Sequence, residues 1–380
     1  MIRNIKAITA SSFSSMFFLG VGTAVIGAAA RNIGLSPFQI GFLIAVQNIG
    51  FMLSVIISGA LADNYEKPRL LFIGSLMLAI SFFTFYVWSP FVLNLAIMFF
   101  IGIGIGSYEG VTDAMLLDIH HARESLFINI NHFFVTLGAL MITLYLIFLQ
   151  MNWRRSMIQS AAAVALLAVF FAFTRLENEK REMQRLSHRL GFLRRQKIVW
   201  LLFFATVCTV GFEMGSVGIL TTYLMELRNF NQVTSKLGLI IFLSGVGTGR
   251  IFVGFFTKKE QILRNIILLF GFSALFGSFM YFINAGTLLY IIIYCTGITI
   301  SSLLPLIITL AGLTYKDMSG TVLGIIKIAI GIGGILIPFL LSMISKYTNL
   351  DTALALFPAI MGISFLLLLL NKKIFNTSEL

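Results

Sequence analysis

Residues 93–117 read LNLAIMFFIGIGIGSYEGVTDAMLL, an almost wholly apolar run in which Glu109 and Asp113 are the only acids. As an α-helix it exceeds the about 20 residues that cross a hydrocarbon layer roughly 30 Å thick. Runs of the same kind recur at roughly 7–30, 38–61, 70–88, 125–150, 156–174, 198–225, 236–257, 264–284, 287–312, 319–344 and 351–370. None alternates apolar and polar residues as barrel strands do, so the backbone must be satisfied within helices. The expected fold is an all-α membrane protein with twelve transmembrane helices.

Composition agrees. The chain is 58% hydrophobic and 11% charged, against about 25% charged in a soluble domain, with a mean hydropathy of +0.96. Its formal charge of +12 is distributed as topology rather than as a nucleic-acid surface. With the N-terminus cytoplasmic, nineteen Lys and Arg fall on the inner side and six on the outer, which sets both termini inside. Ala28-Ala29-Ala30 resembles a signal cleavage site, but the preceding apolar stretch is longer than a signal core, so it is read as an uncleaved first helix. Cys208 and Cys295 lie inside apolar runs and imply packing rather than a disulfide.

The longest polar segment, Arg175 to Lys197, has six runs on either side. The expected division is therefore an N-terminal six-helix bundle at 1–174, a cytoplasmic linker at 175–197 and a C-terminal six-helix bundle at 198–380. A faint repeat supports it: Gly41 and Gly238, Gly50 and Gly247, Asp63 and Glu260, Lys67 and Arg264 recur at one constant offset. Internal repeats of this kind place a solute site near the midplane.

An ionised side chain deep in a membrane costs about 2.5–3.5 kcal/mol on insertion scales, so such residues face a protein interior or a wet cavity. Here they are Glu109, Asp113, Glu213 and Lys327. Helical spacing puts Gly102, Gly106, Glu109 and Asp113 on one stripe, where the glycines leave open space or allow close helix packing. Asn129, His132, Thr136 and Thr143 form a second stripe. Thr206, Thr209, Glu213 and Ser216 form a third, and Gly324, Lys327, Gly331 and Gly334 a fourth. Glu109 is the expected proton carrier, with Asp113 titrating beside it as a coupled partner. Glu213 and Lys327 are expected to pair, either as a structural bridge or as a switch in which a carboxylate solute displaces Glu213. Gln47 and Asn48 could hydrogen-bond a hydroxylated solute, and Tyr108 could stack on it. Trp88, Trp153 and Trp200 fall at run ends as interfacial anchors. Asp118, His120 and His121 lack the second cluster a metal site needs, so no metal is expected. No nucleophile–base motif supports an enzyme.

Gly59-Ala60-Leu61-Ala62-Asp63-Asn64-Tyr65-Glu66-Lys67-Pro68-Arg69 resembles the loop signature of the major facilitator superfamily, G-x-L-A-D-x-x-G-[RK]-[RK]. A narrower resemblance is to the fucose-permease-like sugar:proton symporter branch. It is carried by Gly106-Ser107-Tyr108-Glu109, Asn129 to His132 with Gly138-Ala139, Val210-Gly211-Phe212-Glu213 with Thr222-Tyr223-Leu224, Gly249-Arg250, and Gly331 to Pro338. The resemblance implies two bundles exchanging access to a central cavity. Asp63, Lys67 and Arg69, with Arg250 as their counterpart, would gate it, and Asn129 and His132 would line it. It also implies a secondary active transporter of a small polar solute, a sugar in the first instance, by proton-coupled symport. The alternatives are a proton-driven exporter of amphipathic compounds or lipids, and an organic-anion transporter using Lys327. No cofactor is expected. The coupling ion is H+, with Na+ as the alternative. The expected setting is the cell (inner) membrane, as a monomer in the lipid bilayer, with a small-molecule substrate and no nucleic acid.

Overall fold

A computed structural model describes residues 3–35, 37–149, 152–176 and 186–377. They form helices joined by turns: α1 (Ile5–Ile33), α2 (Pro37–Ala62), α3 (Lys67–Thr84), α4 (Phe91–Ile119), α5 (Glu124–Phe148), α6 (Trp153–Phe173), α7 (Leu186–Leu193), α8 (Lys197–Arg228), α9 (Gln232–Phe256), α10 (Ile262–Phe282), α11 (Leu289–Ser301), α12 (Leu303–Thr314), α13 (Ser319–Tyr347), α14 (Leu350–Leu354), α15 (Leu356–Leu370) and α16 (Lys372–Thr377). Among the described residues, twelve stretches are long and apolar enough to cross a membrane, so this is an all-helical, multi-pass membrane protein.

Two of the expected spans are interrupted. The tenth breaks between α11 and α12 at Ser302, and the twelfth breaks between α14 and α15 at Ala355. Pro305 and Pro358 lie three residues beyond these points. A proline lacks the N–H that would bond the carbonyl four residues back, and its ring clashes with that carbonyl. At the first break the carbonyl freed by Pro305 is that of Ser301, and Arg250 Nε donates to it at 3.3 Å; Ser302 Oγ donates to Gly249 O at 3.1 Å.

The chain forms two compact units. The first comprises 1–121, 130–192 and 315–327, so it holds α1 to α4, most of α5, α6, nearly all of α7 and the first turns of α13. Its core joins Met16, Leu78, Phe82, Met98, Ile101 and Tyr108, each fully buried. The second comprises 122–129, 193–314 and 328–380. There Phe357 meets Phe212 at 5.3 Å and Tyr281 at 5.4 Å between ring centroids.

Within the first unit, α4 is keyed into α2 backbone to backbone. A Cβ on Gly102 would stand 2.1 Å from Gln47 O, and one on Gly106 would stand 2.5 Å from Phe51 O. Of the two readings of these glycines, close packing is the one realised. Gly102→Ala should therefore destabilise the protein by about 1–3 kcal/mol, the usual cost of overpacking. Gly218→Ala, where nothing lies within 4 Å, should be tolerated. Thermal unfolding in detergent compares the two.

Candidate functional site: a buried charge cluster

α4 carries Glu109 and Asp113 one turn apart on the same face, and both are buried at 4% and 0% exposure. Lys327, on the third turn of α13 and itself fully buried, projects its ammonium between them. Its Nζ lies 2.5 Å from Asp113 Oδ2 and 3.0 Å from Glu109 Oε1, and it also donates to the Glu109 carbonyl oxygen. The Glu109 contact is an ion pair without hydrogen-bond alignment, so Oε1 has no hydrogen-bond donor.

α5 completes the cluster. His132 Nε2 is 3.0 Å from Asp113 Oδ2, and Asn131 Nδ2 donates to Asp113 Oδ1 at 2.7 Å and to Thr112 Oγ1 at 3.1 Å. Ser12 Oγ on α1 donates to Asn131 Oδ1 at 3.1 Å, which fixes the amide's orientation. Both Asp113 oxygens are thus engaged by three polar or charged groups. A carboxylate so surrounded is the fixed anion of the group.

The arrangement differs from the sequence expectation in its pairing. Lys327 was expected opposite Glu213; its ammonium is instead held by Asp113 and Glu109. Glu213 has its own cation, Arg250, whose Nη2 stands 3.0 Å from Glu213 Oε1 inside the second unit. Arg250 also donates through Nε to Ser301 O at 3.3 Å. Each charge has taken the opposite charge that its side chain reaches, since an uncompensated charge in such surroundings is expensive. Arg250 therefore serves as an intramembrane counter-ion.

Other expected site residues are used for packing. Gln47 Nε2 donates to Gly22 O at 2.8 Å and ties α2 to α1. Tyr108 is fully buried and its hydroxyl donates to Ser75 Oγ at 2.7 Å, so its ring is enclosed between α4 and α3 and offers no stacking face. Asn129 Nδ2 donates to Ser125 O one turn back at 2.8 Å, and Asn48 is partly exposed on α2. The Thr143 side chain falls outside the described residues, as does the middle of the linker, 177–185.

A second polar centre gathers around Asp63 at the end of α2. Oδ1 accepts from Gly320 N at 2.7 Å. Oδ2 accepts from Thr321 N at 2.9 Å, Thr321 Oγ1 at 2.5 Å and Arg189 Nη1 at 2.5 Å. Gly320 and Thr321 belong to the first turn of α13, whose unpaired N–H groups and positive dipole end suit a carboxylate. Arg189, on α7, is 3% exposed and also donates to Thr321 Oγ1 at 2.7 Å and Ala60 O at 3.2 Å. In the sequence Arg189 is one of eight Lys and Arg in the segment 175–197, and no feature there sets it apart.

The neighbouring charges separate into pairs. Lys67, 2% exposed, reaches Asp118 at 2.5 Å, so Asp118 is its ion-pair partner. Arg69 meets Glu66 at 2.7 Å on the surface, and Arg175 meets the same carboxylate at 2.7 Å. His120 Nε2 contacts Thr9 Oγ1 at 2.8 Å; burial and the adjacent His121 hold its imidazole below the ordinary histidine value.

Comparison with known proteins gives the chain a family and a set of similar folds. A family model described as Major Facilitator Superfamily matches residues 8–338. No curated protein matches the chain in sequence. Among solved structures, the chain is similar to the E. coli fucose:proton symporter FucP at 16% identity, covering 98% of both chains with a TM-score of 0.77. It is similar to the proton:xylose symporter XylE at 14% identity, covering 95% of this chain and 94% of that one with a TM-score of 0.70. It is also similar to the human organic anion transporter MFSD10 at 13% identity, covering 96% and 99% with a TM-score of 0.76.

Proposed function

The chain belongs to the major facilitator superfamily, and from that premise we propose that it is a secondary active transporter performing proton-coupled symport of a small polar solute, in the first instance a sugar. The observation that carries the reading is the charge count of the buried cluster. Glu109 and Asp113 bring two negative charges and Lys327 one positive charge, all within hydrogen-bond or ion-pair reach. With a neutral His132 the group is one positive charge short, and burial makes that deficit costly. One proton closes it. Asp113 is the fixed anion, so the proton resides on Glu109 or His132.

The count alone accepts H+ or Na+, and the space within the cluster favours H+. Ligand atoms of Glu109, Asp113 and His132 lie within 4.8 Å of one another, a spacing that would suit a small cation. The Lys327 ammonium already stands among them, and a proton adds charge without needing that space. It also favours an uncharged solute, because Lys327 is committed to two acids and would have to leave both to hold an organic anion. The sugar assignment draws on the neighbours FucP and XylE, whose names record sugar:proton symport. We place the protein in the cell's inner membrane with both termini cytoplasmic, following the distribution of Lys and Arg.

Proteoliposomes with an imposed pH gradient test the proposal. Acid on the side of uptake should drive sugar accumulation. Glu109→Gln and His132→Gln should each reduce gradient-driven accumulation by about 10²-fold or more, the lower end of what a positioned proton-transfer group contributes, while solute exchange without a gradient persists. Accumulation that ignores pH and follows Na+ would overturn the coupling, and transport of organic anions or dyes in place of sugars would overturn the solute class.

A further inference from the structure

A groove of about 710 Å³ opens between α1, α5 and α6, wholly within the first unit. Its size falls in the range of about 300–1,000 Å³ that encloses a small organic molecule. The walls are apolar, with Phe17 on α1 and Met141 on α5. Its mouth lies on the side of the bundle that meets lipid, because Leu144 and Phe148 at its edge are 48% and 78% exposed on a spanning helix. Polar groups interrupt this lining on one wall. Tyr145 donates its hydroxyl to Gln159 Oε1 at 2.7 Å, and the Gln159 amide N–H groups have no acceptor among the described residues. Ser160, also in the wall and only 9% exposed, has an unpaired hydroxyl. Donors without acceptors in hydrocarbon are costly, so these two mark where a ligand with acceptor oxygens would sit.

We propose that this groove holds one anionic phospholipid. Its phosphate meets Arg155, its ester carbonyls accept from Gln159 and Ser160, and one acyl chain runs past Ala163 into the apolar lining. The order of side chains down α6 carries the assignment. Arg155, exposed, stands four residues before Gln159 and shares its face, and Ala163 stands four residues after it in the groove wall. The cation, the unpaired donors and the small residue therefore follow one another at intervals of about 6 Å along the helix. That is the sequence of a phospholipid from headgroup to chain. Trp153, at the start of α6, is a residue type that settles at headgroup level. A polar solute would leave the apolar walls unmatched, and hydrocarbon alone would leave the donors unpaired. A zwitterionic phospholipid offers the same esters and chains, so Arg155 supplies the selectivity; one such charge favours an anionic headgroup by about fivefold.

Native mass spectrometry of the full chain in detergent, with equal amounts of phosphatidylglycerol and phosphatidylcholine added, tests the proposal. The expected result is one lipid retained at collision energies that strip detergent, with phosphatidylglycerol about fivefold over phosphatidylcholine. Arg155→Gln, at an exposed position, should bring the two lipids to equal retention. Gln159→Leu/Ser160→Ala should lower the retention of both lipids while keeping their ratio. Ala163→Phe fills the groove and should abolish the retained lipid. Melting temperatures in lipid-free detergent confirm that the variants are folded, and Arg155→Gln carries the test of selectivity should the Phe variant fail to fold. Equal retention of the two lipids by the unmodified protein, a ratio unchanged in Arg155→Gln, or retention undiminished in folded Gln159→Leu/Ser160→Ala would each overturn the proposal. So would retention of detergent alone, or of several lipids without a preferred first one, which is the behaviour of an unselective lipid coat.

Discussion

Lys327→Ala should abolish transport and destabilise the protein by about 3–5 kcal/mol, the cost of removing one partner from a buried ion pair. The charge left behind explains the size: Glu109 and Asp113 remain buried with the ammonium gone, and the cluster carries one more uncompensated negative charge than before. Lys327→Ala/Asp113→Asn returns the count to that of the native protein and should recover most of the lost stability, read as melting temperature in detergent. Lys327→Ala/Glu213→Ala should recover none, because Glu213 is held by Arg250. Transport should stay absent in both double variants, since each lacks the Lys327 ammonium on which the proposed proton site depends. Full recovery of uptake in the Asp113 double variant would show the cluster to be a packing device only.

The second large effect is expected at Asp63. Asp63→Asn keeps the shape but removes the charge, and its amide nitrogen cannot accept from any of the four donors that now converge there. One carboxylate oxygen's acceptors are lost and Arg189 stays buried without its anion. The expected cost is again about 3–5 kcal/mol, with Arg189→Gln close behind. The combination Asp63→Asn/Arg189→Gln should cost clearly less than the sum of the singles, because the two act in one network. Melting temperatures of the four proteins complete the cycle; additive losses would show that the contact contributes nothing of its own.

The membrane fold was legible because hydrophobic length is a one-dimensional property: a run such as 93–117 announces a spanning helix without knowledge of its neighbours. The cluster was legible in its members on α4, since Glu109 and Asp113 share a face by helical spacing alone. His132 was found through its place in a motif. Its neighbour Asn131 was passed over in favour of Asn129, although Asn131 is the residue whose amide holds Asp113. The choice turned on which of two closely spaced side chains faces inward, and rotation of a helix about its axis is set by packing. The partner of Lys327 was unreadable for the same reason: several acids lie at similar depth, and only the folded chain says which one a lysine stem reaches. Arg189 was hidden by composition, one basic residue among many in a polar segment. The breaks near Pro305 and Pro358 were not legible from proline alone: each proline removes an N–H, yet α13 runs unbroken through Pro338.

The keyed contact between α2 and α4 constrains how the cluster would answer the proton proposed for it. Glu109 and Asp113 lie on the same face of α4 as Gly102 and Gly106, and that face meets bare α2 carbonyls. Turning α4 about its axis would swing bulky side chains such as Phe99 and Ile103 into those carbonyls, so the helix is locked against axial rotation. Taking up or losing charge therefore cannot be answered by α4 swivelling its acids away. The response falls to the parts that are free to adjust, the long lysine stem and the imidazole, which makes α4 the anvil of the cluster and Lys327 and His132 its working pieces.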